Sequence, residues 1–368
     1  MRPAEAALGR RLLLAIEREA QRPREYFLME FCGGHTHTLC RHGIAALLPP
    51  NVHLRHGPGC PVCVLPAGRL NQALALLAAQ PVVLCSFGDM SRVPGSHGQS
   101  LLSARAQGAD VRMVLGPSQA LGLAEALPQR EVVFFAVGFE TTAPATAWVL
   151  HKARQKGLKN FSVLCNHLCT PPALRAVAQA FATAPPAAGR LDGMLAPGHV
   201  AAITGLLPFE AVCAEFGLPM CVAGFEALDV LEAIWRLLRQ LNQGEAKVEN
   251  AYARVAPREG NPRARRCMEE AFEVLPRFSW RGLGELPHSA LGVAARYAAW
   301  DAQARWALPY VPVADNPACC CAHVLQGLKK PTQCALFAKA CTPDAPLGAC
   351  MVSPEGACAA YYASLRGE

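Results

Sequence analysis

Short runs of β-branched and aromatic residues recur along the first two thirds of the chain roughly every 25 to 30 residues, and Ala- and Leu-rich stretches of helical period lie between them. The runs at 26–31, 52–55, 82–87, 111–115, 132–137, 161–164, 194–196 and 220–223 read as strands. Alternation of strands with helices predicts an α/β fold with parallel sheets. Eight strands are many for one sheet, and the tripeptide Gly-Phe-Glu follows two of them, at 138–140 and 224–226. Two parallel-sheet α/β domains are therefore expected, at residues 22–125 and 126–242. Beyond Gln243 the strand signal stops, and a helical region with polar patches leads into a segment rich in Cys and Pro. Residues 243–368 are expected to form a mainly helical and loop domain, with residues 1–21 packed on it because chain ends often lie close together.

Residues with chemical potential fall mostly just after the strands. Cys32 closes the first, the segment 57–63 follows the second, Asp89 the third, Glu140 the fifth, His167 the sixth and His199 the seventh. In open parallel sheets ligands bind outside the carboxyl ends of the strands, so these positions are expected to face one crevice.

Composition narrows the classes. The chain is 52% hydrophobic and 17% charged over 368 residues, enough to bury a large core. Its apolar runs fall far short of the roughly 20 residues that span a bilayer. Arg10 and Arg11 precede a short leucine run, but Glu17 and Glu19 follow and no small-residue cleavage site is present. The expectation is a soluble, cytoplasmic protein without a membrane anchor. The formal charge of +7 raises nucleic-acid binding, yet the dense basic run is confined to Arg263, Arg265 and Arg266 and has no aromatic interleaving. No nucleic-acid partner is expected.

Seventeen cysteines change the picture most. In a reducing compartment, clustered cysteines are more often metal ligands or catalytic thiols than structural bridges. Cys32 stands at a strand end before Gly33, Gly34, His35 and a helix start near Thr36, a setting expected to lower a thiol pKa. Cys60 and Cys63 form a Cys-x-x-Cys with proline inside it, which favours thiol redox chemistry over zinc because no second pair of that spacing occurs. Asp89, Arg92 and His97 could line the same crevice. Thr141 or Thr142 is expected to cap a helix after Glu140, and His167 to provide polar lining beside Cys165, Asn166 and Cys169. Cys85, Cys213, Cys221 and Cys267 lie in apolar or helical contexts and are expected to act as small hydrophobes.

The C-terminal segment holds Cys319, Cys320, Cys321, Cys334, Cys341, Cys350 and Cys358. Taking Cys319, Cys334, Cys341 and Cys358 leaves fourteen, six and sixteen intervening residues, which suits a loop-wrapped four-thiolate site. From spacing alone, zinc stays open beside an iron-sulfur cluster.

Together FCGGHTH, HGPGCPVC and CTPDAPLGACMVSPEGAC resemble the HypD family of [NiFe]-hydrogenase maturation proteins, and FGDMSRVPGS, VGFETTAP, CNH and LAPGH follow the family's order over nearly the whole chain. The resemblance implies two α/β domains and a third carrying a [4Fe-4S] cluster. It implies that Cys32 holds the iron of an Fe(CN)2CO group, with His35 beside it, and that Cys60 and Cys63 are a redox pair. Cys319, Cys334, Cys341 and Cys358 match the cluster ligands, with the adjacent Cys320 and Cys321 competing for the first place, and Glu355 matches an acidic residue before the last ligand. Partners implied are a HypC-type chaperone, a HypE-type cyanide donor and, indirectly, a hydrogenase large subunit. The expected function is a redox-active assembly scaffold that receives cyanide ligands. The alternative is a freestanding iron-sulfur thiol-disulfide oxidoreductase.

Overall fold

The computed structural model describes residues 3–185 and 189–366. Its strands are β1 (Tyr26–Glu30), β2 (Val52–His56), β3 (Val83–Ser86), β4 (Val111–Met113), β5 (Val132–Gly138), β6 (Phe161–Leu168), β7 (Gly193–Pro197), β8 (Met220–Ala223), β9 (Val248–Asn250), β10 (Phe272–Val274), β11 (Arg277–Trp280), β12 (Gly284–Pro287) and β13 (Ala290–Val293). The class is α/β, and all eight strands read from the apolar runs are present. One sheet has the order β2-β1-β7-β8-β9 and is parallel throughout. The other has the order β10-β13-β6-β5-β3-β4, parallel among β3 to β6 and antiparallel where β13 and β10 join. Strands β11 and β12 form a separate hairpin.

Helices cover the sheets, so the central strands are buried on both faces and need apolar residues at nearly every position. All seven residues of β5 are buried. Val133, Phe135 and Val137 face one core cluster, while Val132, Phe134 and Ala136 face another. The first cluster also takes in Phe31 and Met194 of the other sheet's region and Cys321 and Cys350 of the tail, so both sheets and the tail share one core.

Sheet membership departs from the contiguous division at residue 125. The first sheet draws strands from 26–56 and from 193–250, and the second from 83–168 and 272–293. The chain crosses between sheets because a strand pairs with whichever edge is open, whatever its place in the sequence. Five strands also follow Gln243, where none was expected. They have three or four residues, and polar positions such as Glu249 and Glu273 break their apolar signal.

The N-terminal helix, Pro3–Ala20, belongs to the first sheet instead of the cysteine-rich tail. It packs on the helix Ala227–Gln243, burying Ile16 with Leu231, Ile234 and Leu238. The Tyr26 hydroxyl donates to Asn242 Oδ1 (2.6 Å), and Asn242 Nδ2 donates to the Glu19 carbonyl (2.9 Å). Among the described residues no single helix is long and apolar enough to cross a membrane.

Candidate functional site

Three chain reversals meet where β1, β2 and β7 end. Cys32 leaves β1 with extended backbone and stands immediately before the helix Gly33–Arg41. The N–H groups of His35 and Thr36 donate to its carbonyl (2.9 and 3.2 Å). Glu30, opposite His56 in the β1–β2 register, is 1% exposed. Its carboxylate accepts from the Cys32 N–H (2.9 Å), from His56 Nδ1 (2.8 Å) and from the Thr36 hydroxyl. A buried charge needs such donors to be tolerated, and these three lock the start of the helix to both strands.

The Cys60–Cys63 turn rests directly on this corner. Gly33 N–H donates to the Gly59 carbonyl (3.0 Å), and a Cβ on Gly59 would lie 2.3 Å from the Cys32 nitrogen. Cys60 and Cys63 are joined as a disulfide, with Cα atoms 5.2 Å apart, and both are buried. Gly59, Pro61 and Val62 form part of the wall of a 220 Å³ cavity into which Cys32, Asp89, His199 and Glu355 also face. Glu355 arrives from the tail and lies against Gly33, whose added Cβ would fall 2.4 Å from that of Glu355. The Ser353 hydroxyl donates to Asp89 (2.9 Å), fastening the tail at the cavity rim.

Electrostatics at Cys32 run opposite to the expectation of a lowered pKa. Burial raises the thiol first, Glu355 and Glu30 add to the rise, and the N–H groups of Gly34 and His35 only partly oppose it, leaving it at about 12. Desolvation and two carboxylates outweigh the helix start. A metal cation coordinated there would reverse this balance, because a coordinating thiol is deprotonated outright. His35 donates from Nε2 to the Ala223 carbonyl (3.2 Å), so Nδ1 carries the lone pair, and it is buried without a protein partner. Burial pulls this imidazole below its ordinary pKa. Phe225 lies between two imidazoles, stacked with His199 at 3.7 Å and with His35 at 5.0 Å.

Some sequence expectations move elsewhere. Thr142 makes no capping hydrogen bond; its hydroxyl donates to the Phe139 carbonyl (3.2 Å). Glu140 instead reaches the start of the helix Thr170–Thr183, accepting from Thr170 N–H (2.7 Å) and Oγ1 (2.8 Å). His167 is fully buried with Nε2 2.8 Å from the Thr146 hydroxyl, so it does not line the crevice. Arg92 donates to the Pro343 carbonyl (2.9 Å) and ties down a tail loop. The side chain of His97 lies outside the described residues. Cys85, Cys213 and Cys221 are core residues.

In the tail, Cys319, Cys334, Cys341 and Cys358 border one small cavity, together with Cys320, Cys321 and Cys350. Leu336, Phe337, Val324 and Met351 supply apolar wall. An all-sulfur donor set in an apolar setting could hold a thiolate-ligated cluster. The three adjacent cysteines differ in direction. Cys319 lies near Cys334 and Cys358 and is pushed up to about 12, mainly by burial. Cys321 turns inward to hydrogen-bond with Cys350 and sits near Arg281. Cys320 has its Sγ 3.8 Å from the Lys329 amine. Arg281 donates through its backbone to Val64 O (2.7 Å) and through Nη2 to Leu65 O (2.9 Å), linking this region to the Cys60–Cys63 segment.

Sequence reasoning overlooked Glu30, Phe225 and the inward pair Cys321–Cys350. Glu30 had a local signal, a charged residue at the buried end of an apolar strand. Phe225 stood only in the repeated Gly-Phe-Glu and Cys350 only in the cysteine-dense tail, and neither context shows their contacts, which come from segments distant in sequence.

This is a cysteine-centred α/β protein, with one thiol corner at the sheet edge and a second thiol cavity in its tail. The HypD family model, described as "Hydrogenase formation hypA family", matches residues 7–364. The chain is 48% identical over 363 residues to the hydrogenase maturation factor HypD of Cupriavidus necator, covering 97% of this chain and 94% of that protein. It is 51% identical over 361 residues to the hydrogenase expression/formation protein HupD of Azotobacter chroococcum, covering 98% and 94%. Against HypD of Escherichia coli K12 it is 44% identical over 343 residues, covering 93% and 90%. The chain belongs to the HypD family.

Proposed function

We propose that the protein is a hydrogenase maturation factor on which an iron atom, the cargo of the reaction, receives its cyanide ligands. The observation that carries this reading is the meeting of Cys32, the Cys60–Cys63 pair and Glu355 at one corner, with Glu355 delivered by the segment that holds the C-terminal thiols. Cys32 is the soft donor for the iron, and a HypC-type chaperone supplies a further ligand. The unpartnered Nδ1 of His35 is a second lone pair on the same helix turn. Glu30 and Gly59 hold Cys32 in place.

Cys60 and Cys63 provide the electrons for cyanide release. With both thiols reduced, one attacks the sulfur of a thiocyanate carried by a HypE-type donor; the sulfur–carbon bond breaks, cyanide leaves and a mixed disulfide forms. The other thiol then displaces the donor's sulfur, yielding the Cys60–Cys63 disulfide. Two electrons pass from the dithiol to the donor's S–CN group. Cys319, Cys334, Cys341 and Cys358 would hold a [4Fe-4S] cluster that supplies one-electron redox capacity for resetting the disulfide. Arg281 connects the two regions, and the Cys321–Cys350 pair lies on the inner side of the tail cavity. Burial of Cys60 and Cys63 weighs against turnover of free disulfides, because a donor must enter over Gly59, Pro61 and Val62 to reach them.

The Cys60→Ala variant tests the assignment. Its iron and sulfide content is expected to match the unsubstituted protein, while infrared bands of iron-bound cyanide fail to appear when donor and chaperone are added. Full cyanide loading in that variant would remove the redox role.

A further inference from the structure

The tail cavity has two unlike faces. Inward, Cys321 and Cys350 are buried and Arg281 leads to the Cys60–Cys63 segment. Outward, Cys320 and Cys334 are partly exposed and the Lys329 amine stands 3.8 Å from Cys320 Sγ. Lys329 and Lys330 are exposed and come just before the turn Pro331–Gln333 that delivers Cys334. Lys339 is exposed on the loop between Cys334 and Cys341. That loop is closed by the Ala338 N–H donating to the Cys341 carbonyl (3.2 Å), with Ala338 at φ 55°. From residue 316 to residue 343 the chain carries these three lysines and no Asp or Glu. Among the described residues, none of the three lysines pairs with a carboxylate.

Stoichiometry supplies the need. Each cyanide released by the Cys60–Cys63 dithiol leaves a disulfide, so a second cyanide requires two electrons from outside the chain. We propose that the face bearing Lys329, Lys330 and Lys339 docks an acidic one-electron carrier protein, which resets the disulfide through the C-terminal thiol site; this rests on the cluster reading above. Two carriers in succession each give one electron, two protons come from solvent, the sulfur–sulfur bond breaks and two thiols form. An uncompensated cationic rim suits such a partner, because rim charges steer encounter and make it salt-dependent.

The test uses the full chain purified without oxygen, with a plant-type [2Fe-2S] ferredoxin as the acidic probe. The triple variant K329E/K330E/K339E is compared with the unsubstituted protein for ferredoxin affinity at low and high salt. Reduction by reduced ferredoxin and by photoreduced deazaflavin, and iron and sulfide content, are followed in parallel. The expected result is an affinity lower by about tenfold or more at low salt, with a flattened salt dependence. Reduction by deazaflavin and metal content should not change. Equal ferredoxin binding by the variant, or no binding by an unsubstituted protein that contains the cluster, would overturn the proposal. Lysine-dependent binding by a protein found to lack iron and sulfide would uphold the docking face and refute the cluster.

Discussion

Glu140 shows how a single buried group sets a pH response. Burial raises its carboxyl to about 7 from an ordinary 4.5, against the pull of two hydrogen bonds from Thr170. Between those values the unfolded chain has lost the proton while the folded chain keeps it, so this group's contribution to stability is full below 4.5 and declines as pH rises to about 7. The whole span amounts to on the order of 3 kcal/mol. His167, lowered to about 4 by burial, works in the opposite direction: its contribution is lost as pH falls from 6.5. Urea unfolding of Glu140→Gln and of the unsubstituted protein at a series of pH values separates the two effects. The difference is expected to move in the variant's favour from about pH 5 to about pH 7.5; a difference that stays constant would mean that the Thr170 donors hold Glu140 at its ordinary pKa. At this scale sequence proximity misleads as well as informs. Cys32 does precede a helix, but burial raises its thiol, Glu355 and Glu30 add to the rise, and Glu355 is distant in sequence.

At the scale of elements, the strands buried on both faces were legible because almost every residue in them is apolar. The five after Gln243 were not, since a three-residue strand such as β9 or β10 is stabilised by the edge it joins more than by its own composition. The helix Pro3–Ala20 teaches the same point. Its apolar stripe is readable, but the surface that receives it is not. Removing residues 1–20 uncovers the contact of Ile16 with the helix Ala227–Gln243 and is expected to cost about 3–5 kcal/mol of stability. Iron and sulfide content per folded chain should stay the same. Loss of metal with the helix would instead place it with the tail.

Across the whole molecule, the tail works as a strap. It reaches Asp89 through Ser353, Gly33 through Glu355 and Arg92 through Pro343, so it touches elements leading from both sheets. Cys334→Ala removes one of the four thiols that would hold a cluster. Metal analysis is expected to show loss of iron and sulfide, and limited proteolysis to show faster cutting within 317–358, while the main unfolding transition of the sheets persists. Iron and sulfide at the unsubstituted level would show that Cys334 is not a required ligand.

The amino-acid sequence by itself determined the α/β class, the eight core strands and the short motifs around Cys32, Cys60 and Cys63, because burial periodicity and Cys-x-x-Cys spacing are local properties. It also marked the C-terminal cysteines as a group by their density. Tertiary structure alone decided which strands share a sheet, which way Cys319, Cys320 and Cys321 face, and that the Cys32 thiol is raised. Those outcomes depend on open sheet edges, on approaches as close as that of Gly59 to Cys32, and on desolvation by distant segments, none of which is encoded at any one position.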